Sequence, residues 1–577
     1  MRRLGTVTAV AAVLFGLFWC YLLQSRTQGA DSDSAGQVLQ GWDMMHGNLL
    51  LRGWVTSDVS FYTFEIPVDG LVAAVDGLRT DVIHIAASIE YALLVLFAAL
   101  VAAGPARDRQ DGAPAGGAGS RVVRGLIAAG IMVAPGTWQG SGVLLGAPDH
   151  TAIGVPVLIV LLLVDRLVPR RWLPAVATLL LTFVLLVWAQ LDDLVGTLSG
   201  AVPLAVVCGG SAAAVAIAAL YRRLAGPGRG RRGRPASRPE PALGAAQSPA
   251  YNAALAVLAL GSFGVTELLV KGIVHAGGFY LRAIPAGSQI SHWATVPAQL
   301  HALAENLLIL FGANFWGLPQ PQAAFAYLHL ICLALALVGL VVSIARWRTA
   351  DRVTRALVVG IIVMLVAGAA SPLMIIVGGT HEIAVVLPLG AALGGRVVGP
   401  WLAARAGSGQ FARAGRKARA TAAGVLAAAG LGLLCCLGYA AAQPARPPHD
   451  AAIADWLLAH HLTSGLGGYW NANITTLITG GAVHVTPVTS GGRYGYLWES
   501  KESWFDPHVS SANFILTTTQ QQGGEDVSLK DALAWYGKPA QSYVVGQYTV
   551  LVYNRNRNLL ETTIQPVPSQ LSAPKSR

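Results

Sequence analysis

AFAYLHLICLALALVGLVVSIA, residues 324–345, holds no aspartate, glutamate, lysine or arginine. A helix of about 20 such residues crosses the roughly 30 Å apolar core of a bilayer, and a helix satisfies its backbone hydrogen bonds within the segment. With the same ruler, ten further stretches qualify: 5–24, 82–103, 122–136, 152–168, 173–191, 198–221, 251–275, 355–378, 382–402 and 420–441. The third is short because Pro135 and Gly136 interrupt it. The first follows Arg2 and Arg3 as a signal peptide would, but it is too long for an ordinary signal core and no small-x-small cleavage site follows. The spacing predicts an α-helical polytopic membrane protein of about eleven transmembrane helices.

Composition agrees. Of 577 residues, 12% are charged and 54% hydrophobic, with a mean hydropathy of +0.53. A soluble protein carries roughly 25% charged residues. So few charges cannot coat the roughly four soluble domains that this length would otherwise suggest. The hydrophobic content excludes disorder over most of the chain.

The net charge of +11 takes its meaning from where the arginines lie. Arg2 and Arg3, then Arg107, Arg109, Arg121 and Arg124, then Arg166, Arg170 and Arg171 fall in alternate loops. So do Arg346, Arg348, Arg352 and Arg355, and later Arg405, Arg413, Arg416, Lys417 and Arg419. The linker at about 222–250 is densest, with Arg222, Arg223, Arg229, Arg231, Arg232, Arg234 and Arg238 among Gly and Pro. It looks like a nucleic-acid tail but reads as a cytoplasmic linker that enforces topology. The odd span count then places the N-terminus in the cytoplasm and the C-terminus outside a bacterial plasma membrane. The partner expected is lipid, not nucleic acid.

The five cysteines, Cys20, Cys208, Cys332, Cys435 and Cys436, all fall inside predicted spans without metal-ligand spacing. They read as small packing residues.

Two units result: residues 1–442, a transmembrane domain with outer loops at about 25–81 and 277–323, and residues 443–577, a small extracytoplasmic α/β domain. The second outer loop carries an amphipathic stretch at Val296–Leu310. The tail opens with a helical pattern at Asp450–His461, followed by β-rich runs at Val483–Val488, Phe514–Thr518 and Tyr548–Tyr553. After Thr562 it reads as frayed.

Acids collect on the outer side. The first loop holds Asp31, Asp33, Asp43, Asp58, Glu65, Asp69, Asp76 and Asp81; later loops hold Asp149 beside His150, and Asp192 with Asp193. Acidic outer loops partly mirror the arginine-rich inner ones. Asp33 and Asp149 differ in sitting immediately beside a span, where a carboxylate is partly desolvated and can serve as a base or a metal ligand. Trp42, Trp54, Phe61 and Tyr62 could stack on a sugar ring or form an interfacial belt. In the tail, Tyr469, Trp470, Trp498 and Trp504 are ligand candidates that a small core also needs.

One span after a short N-terminus, then a large outer loop with an acid just past the membrane, resembles the GT-C class of membrane glycosyltransferases. That class includes protein O-mannosyltransferases and lipid A aminoarabinose transferases. More narrowly, the first loop is similar to that of an actinobacterial membrane family related to them. The stretches that carry the likeness are Asp33-Ser-Ala, Gln40-Gly-Trp-Asp-Met-Met-His-Gly-Asn48, Leu51-Arg-Gly-Trp54, Ser57-Asp-Val-Ser-Phe-Tyr62 and Glu65-Ile-Pro67. Ala147-Pro-Asp-His-Thr151, Thr380-His-Glu-Ile, Pro388 and Gly394-Gly-Arg396 extend it over most of the chain.

The resemblance implies transfer of a sugar from a polyprenyl-phosphate donor to an extracytoplasmic glycan, lipid or protein. Asp33 would take the proton of the attacking hydroxyl, with Asp31 as the alternative two residues away. Asp149 and His150 match the second outer loop, which in some class members holds a divalent metal, Mg or Mn, or the acceptor; Asp33, Asp149 and His150 are thus the metal candidates. No cofactor is otherwise implied. Charge builds on the leaving phosphate and needs a cation, for which Arg52, Lys271, Arg282 and His381 are candidates. Trp54, Asp58, Glu65 and Glu382 complete the expected substrate-binding set. The family's pattern has arginine where His381 stands, so this position lacks its permanent charge.

Two other functions fit the same scaffold. A transporter would concentrate ionisable groups at mid-span, whereas polar residues here gather in outer loops. A non-catalytic envelope-assembly protein would keep the fold without the chemistry. No nucleotide-binding loop, Ser-His-Asp triad or Cys-His pair appears in suitable context.

Overall fold

The structure is a computed structural model that describes residues 2–105, 118–136, 139–146, 149–167, 171–224, 248–282, 290–404, 410–489, 492–519 and 525–564. From the N-terminus run α1 (Arg2–Ser25), α2 (Ser32–Met45), β1 (Trp54–Val55), α3 (Glu65–Asp76), α4 (Asp81–Ala103) and α5 (Ala118–Met132). Next come α6 (Gln139–Ser141), α7 (Gly154–Arg166), α8 (Trp172–Asp192), α9 (Val202–Leu224) and α10 (Pro249–His275). They are followed by α11 (Val296–Leu310), α12 (Gln322–Ala345), α13 (Arg352–Ala370), α14 (Gly379–Glu382), α15 (Val386–Ala403) and α16 (Gln410–Ala441).

Each of the eleven expected spans overlaps a helix. Among the described residues nine helices are long and apolar enough to cross a membrane, as expected of a multi-pass membrane protein. The other two, α5 with 15 residues and α7 with 13, are shorter than a full crossing. The stretch expected at 355–378 also ends early. α13 stops at Ala370 because Ser371 precedes Pro372 and is extended (φ −85°, ψ 133°), the conformation that a following proline favours. That break frees residues 371–385 to form the short α14 instead of a continuous span. Most of the arginine-rich linker, 225–247, lies outside the described residues, as does the tail after 564. Of the five cysteines, Cys208, Cys332 and Cys436 are buried, Cys20 is half-buried and Cys435 exposed, and all five are free thiols.

One ion-pair group centred on the buried Arg396 ties three of these helices together away from the loops that carry the acids. Arg396, in α15, donates from Nη1 to Asp165 Oδ2 of α7 at 2.9 Å and from Nη2 to Asp351 Oδ1 at 3.0 Å. Asp351 also caps α13 through the Thr354 amide at 2.8 Å. Arg396, met in the sequence as part of a family-like motif, is thus a structural residue.

The first loop folds as two helices crossing at glycines. A Cβ on Gly41 would lie 2.6 Å from the Gly70 backbone nitrogen, so only glycine lets α2 and α3 approach this closely. Asp31 sets the start of α2 by accepting from the Ser34 amide at 2.9 Å, the ordinary N-cap role of aspartate.

The C-terminal unit comprises α17 (Ala451–Ala459), β2 (Ser464–Gly468), α18 (Tyr469–Ile478), β3 (His484–Thr489), β4 (Tyr494–Gly495), β5 (Ser500–Lys501), β6 (Phe514–Thr518), α19 (Leu529–Tyr536), β7 (Gln541–Val545) and β8 (Tyr548–Val552). Its six-stranded mixed sheet has the order β4-β3-β2-β6-β8-β7. β2 is parallel to both β3 and β6, and the remaining pairs are antiparallel. α17, β3, β6 and β8 fall on the patterns expected from sequence, whereas β2 was not expected because Ser464-Gly-Leu-Gly-Gly468 offers little apolar periodicity.

This unit is stitched onto the first loop. Trp54 pairs with Lys501 and Val55 with Ser500 in a two-stranded sheet. The Lys501 Nζ lies 3.0 Å from Asp43 Oδ2 and the Glu502 amide donates to the Gly53 carbonyl at 2.8 Å. α18 packs its Ile474 and Leu477 against Ala35 and Val38 of α2 in one buried apolar cluster.

Candidate functional site

In an open α/β sheet, ligands meet the carboxyl ends of parallel strands. Tyr469 follows the last residue of β2 directly and opens α18. Because α18 lies on α2, the tyrosine hydroxyl reaches the first turn of α2 and donates to Asp33 Oδ1. The Trp498 indole donates to the same carboxylate. Burial, with Asp31 and Asp149 adding repulsion, pushes the Asp33 carboxyl well above the usual range, while these two donors pull it back.

Two further segments close around Asp33. Asp149 accepts from the α2 residue Gln37, Nε2 to Oδ1, at 2.6 Å. His150 bonds through Nδ1 to Asp193 Oδ2 at 2.7 Å. Burial opposes charge on this imidazole, but Asp193, Glu382 and Asp149 outweigh it and raise the His150 pKa to about 10. His150 is therefore an imidazolium at neutral pH, held in the left-handed region at φ 58°. His381 behaves in the opposite way. Burial and the neighbouring His150 charge lower it to about 4, so it is neutral, and its Nδ1 is buried without a hydrogen-bond partner. Glu382 and Asp58 are each raised first by burial and then held down by His150. Asp31, Asp33, Asp58, Asp149, His150, His381 and Glu382, scattered between positions 31 and 382 of the sequence, thus act on one another in one neighbourhood.

A second tier of acids lies beneath. Glu65 is 1% exposed, and burial together with Asp192 raises its carboxyl well above normal. Asp192 accepts from the Thr63 and Phe64 amides at 2.9 and 2.8 Å. Asp192 therefore supports the loop from within, and Glu65 is enclosed beside it instead of facing an open site. Between the tiers, Ser34, Gln37, Asp69 and Glu90 line a small cavity with room for about one water molecule.

The remaining candidates are placed elsewhere. Arg52 is exposed in a turn whose amide is held by Asn48 Oδ1 at 2.7 Å. Trp54 is 2% exposed and donates from its indole to Asp43 Oδ2 at 2.7 Å, with its ring edge on Trp504; it is an anchor of the interface rather than an open stacking face. Lys271 is exposed near the end of α10. Arg282 lies over the rings of Tyr496 and Trp498, 4.6 and 5.6 Å from their centroids, and donates to the Leu497 carbonyl. Of the expected cations, only Arg282 touches a residue that touches Asp33, and His150 joins it as a cation that the sequence did not mark.

Each of the three metal candidates is engaged by another side chain. Asp33 is engaged by Tyr469 and Trp498, Asp149 by Gln37, and His150 by Asp193. Among the described residues no group of three or more His, Cys, Asp or Glu side chains stands where it could hold a metal ion. Hard cations want several converging oxygens, whereas Asp33 Oδ1 and Asp149 Oδ1 face donors from different segments.

Sequence reasoning missed Glu499. This residue is 2% exposed, and its Oε2 lies 3.3 Å from the Tyr469 hydroxyl. Its neighbours, Tyr496-Leu-Trp-Glu-Ser-Lys501, offer no spacing partner that would single it out. Tyr469 and Trp498 were visible only as aromatic candidates, not as donors to Asp33.

Several solved structures are similar to the chain, among them the following three. ArnT from Cupriavidus metallidurans in the apo state is 14% identical, with 98% of this chain and 99% of that chain covered and a TM-score of 0.47. The same protein bound to undecaprenyl phosphate is 13% identical, with 96% and 98% covered and a TM-score of 0.47. The archaeal oligosaccharyltransferase AglB from Archaeoglobus fulgidus, in complex with an inhibitory peptide and a dolichol-phosphate, is 13% identical, with 88% and 69% covered and a TM-score of 0.44. No family model matches the chain, and no curated protein does.

Proposed function

We propose that the chain is a membrane glycosyltransferase that moves a sugar from a polyprenyl-phosphate donor to an extracytoplasmic acceptor, with Asp33 as general base. The observation that carries this reading is the convergence on Asp33 of residues from the first loop, the Asp149–His150 segment and the C-terminal unit. A base must lie within hydrogen-bond reach of the proton that it removes, and Asp33 is the acid of this group that sits on the first turn of a helix just past α1. The first-loop resemblance supports the same role.

The reaction asks for three things. The acceptor hydroxyl must lose its proton to Asp33 as its oxygen forms the bond to the anomeric carbon and the bond to the lipid phosphate breaks. The leaving phosphate must meet positive charge, which His150 supplies and Arg282 can add. The acceptor must be held near Asp33, for which Glu382, Asp58 and Asp149, the carboxyls that act on His150 besides its partner Asp193, are the polar groups available. In this reading the N-terminus is cytoplasmic, and the C-terminal unit lies outside with the first loop. The acceptor is a glycan, a lipid or a protein of the cell envelope.

The test is sugar transfer in membranes. Asp33→Asn should abolish transfer from radiolabelled polyprenyl-phosphate sugars at unchanged expression, and undiminished transfer would sink the assignment. One observation favours a transporter instead: Glu90, 2% exposed, lies inside α4 beside the small cavity. Accumulation of solute in sealed vesicles without a covalent product would decide for that reading.

A further inference from the structure

We propose that Glu499 carries a proton which it donates to the Tyr469 oxygen, so that Tyr469 in turn donates to Asp33 and Asp33 alone of the two acids is ionised. This deepens the reading of Asp33 as a base and rests on that reading only for its purpose, since the proton arrangement can be measured without any transfer reaction.

The geometry carries the inference. The Tyr469 hydroxyl stands within hydrogen-bond reach of Asp33 Oδ1 and of Glu499 Oε2, the latter at 3.3 Å. A phenol has one proton to donate. With that proton on Asp33, the contact to Glu499 is favourable only if Glu499 is the donor. Otherwise two carboxylates would face one hydroxyl in a dry place.

The site is also built to hold this carboxyl group. A Cβ on Gly36 would fall 2.3 Å from Glu499 Oε2 and 2.7 Å from its Cβ, so the bare glycine in α2 is what makes room. Glu499 has φ 44°, a conformation that a residue other than glycine holds only when its surroundings impose it. They do here: Ser500 and Lys501 are paired with β1, and Asn473 Nδ2 donates to the Glu499 carbonyl at 3.1 Å.

The two acids also differ in the sense required. Burial raises both carboxyls, but Asp33 has two donors, Tyr469 and Trp498, and keeps some exposure, whereas Glu499 has Tyr469 as its one side-chain partner among the described residues and is almost fully enclosed. Burial, then Asp33, Asp149 and Asp31, push the Glu499 carboxyl well above its ordinary range. The groups that act on this pair are the acids Asp31 and Asp149 and the phenols Tyr469 and Tyr496. Tyr496 in turn feels Arg282 and Glu525. No positive side chain touches Glu499 among the described residues to favour its ionised form. Paired carboxyls whose surroundings differ divide into a neutral and a charged partner. Glu499 is thus a positioning residue, because it acts on Asp33 through Tyr469.

Infrared spectroscopy of the full-length protein at pH 7 tests this directly. The difference between wild type and Glu499→Gln should contain a protonated-carboxyl C=O band, and that band should persist in Asp33→Asn. In Tyr469→Phe it should shift, because its acceptor is gone. No protonated band in the first difference, or a band unmoved in Tyr469→Phe, would overturn the proposal. If Glu499→Gln fails to fold, the shift in Tyr469→Phe still decides. Loss of the base reading would appear separately, as undiminished sugar transfer in Asp33→Asn with the infrared bands as expected.

Discussion

Tyr469 donates its hydroxyl proton to Asp33 across 436 residues of sequence. The candidate base is therefore completed by a side chain from the far end of the chain. Hydrogen bonds to a charged group contribute roughly 1.5–3 kcal/mol, and 1.36 kcal/mol corresponds to about one pKa unit. Tyr469→Phe removes a bond that favours the charged form, so the Asp33 pKa should rise. The acid limb of the transfer-against-pH profile should move to higher pH, which assays at several pH values will show. An unmoved limb would assign Tyr469 to packing alone.

The imidazolium of His150 leans on Asp193, whose side chain is 1% exposed. The folded pKa of about 10 lies above the free value of 6.5. The protonated pair therefore stabilises the fold fully below pH 6.5, and the contribution fades as pH rises through about 10. Asp193→Asn should lower stability at pH 6 by roughly 3 kcal/mol, as expected for a broken buried pair. The gap to wild type should close above pH 10. Melting temperatures of both proteins in detergent across this range check it, and a pH-independent gap would contradict it.

Gly36→Ala places a methyl group where the Glu499 carboxyl stands. Neither side yields readily, since β5 is paired with β1 and Gly36 lies in the body of α2. Overpacking of this kind costs about 1–3 kcal/mol. Thermal unfolding should show a loss of that size, with earlier proteolysis of the C-terminal unit than in wild type.

At the other end of the helices, Arg396→Met leaves Asp165 buried without its partner. A buried pair broken from one side costs roughly 3–5 kcal/mol. Folded yield from membranes should fall sharply. The double variant Arg396→Met with Asp165→Leu should recover much of it, because an apolar pair of similar volume often replaces a buried ion pair without loss.

The helices were legible because burial in lipid writes itself as composition: residues 324–345 carry no charged residue, and α12 covers 322–345. Val296–Leu310 was legible for its apolar spacing and is α11. Asp33 was legible by position beside a span. Its partners were not. Glu499 stands alone in its segment, and its closeness to Gly36 depends on a docking of α18 against α2 that no local pattern encodes. His150 was legible as a polar residue but not as a cation, because its charge comes from Asp193, 43 residues on. Arg52 and Lys271 drew notice for their charge, which in an exposed turn or near a helix end costs little.

Sugar transfer by Asp33→Asn membranes bears most directly on the central claim. Wild-type and variant membranes of equal protein content are supplied with radiolabelled polyprenyl-phosphate sugars, and label in extracytoplasmic product is counted. Removal of a general base lowers rates by about 10²–10⁴-fold, so the expected result is no product above background from Asp33→Asn with donor binding retained. Transfer at the wild-type rate would contradict the role given to Asp33.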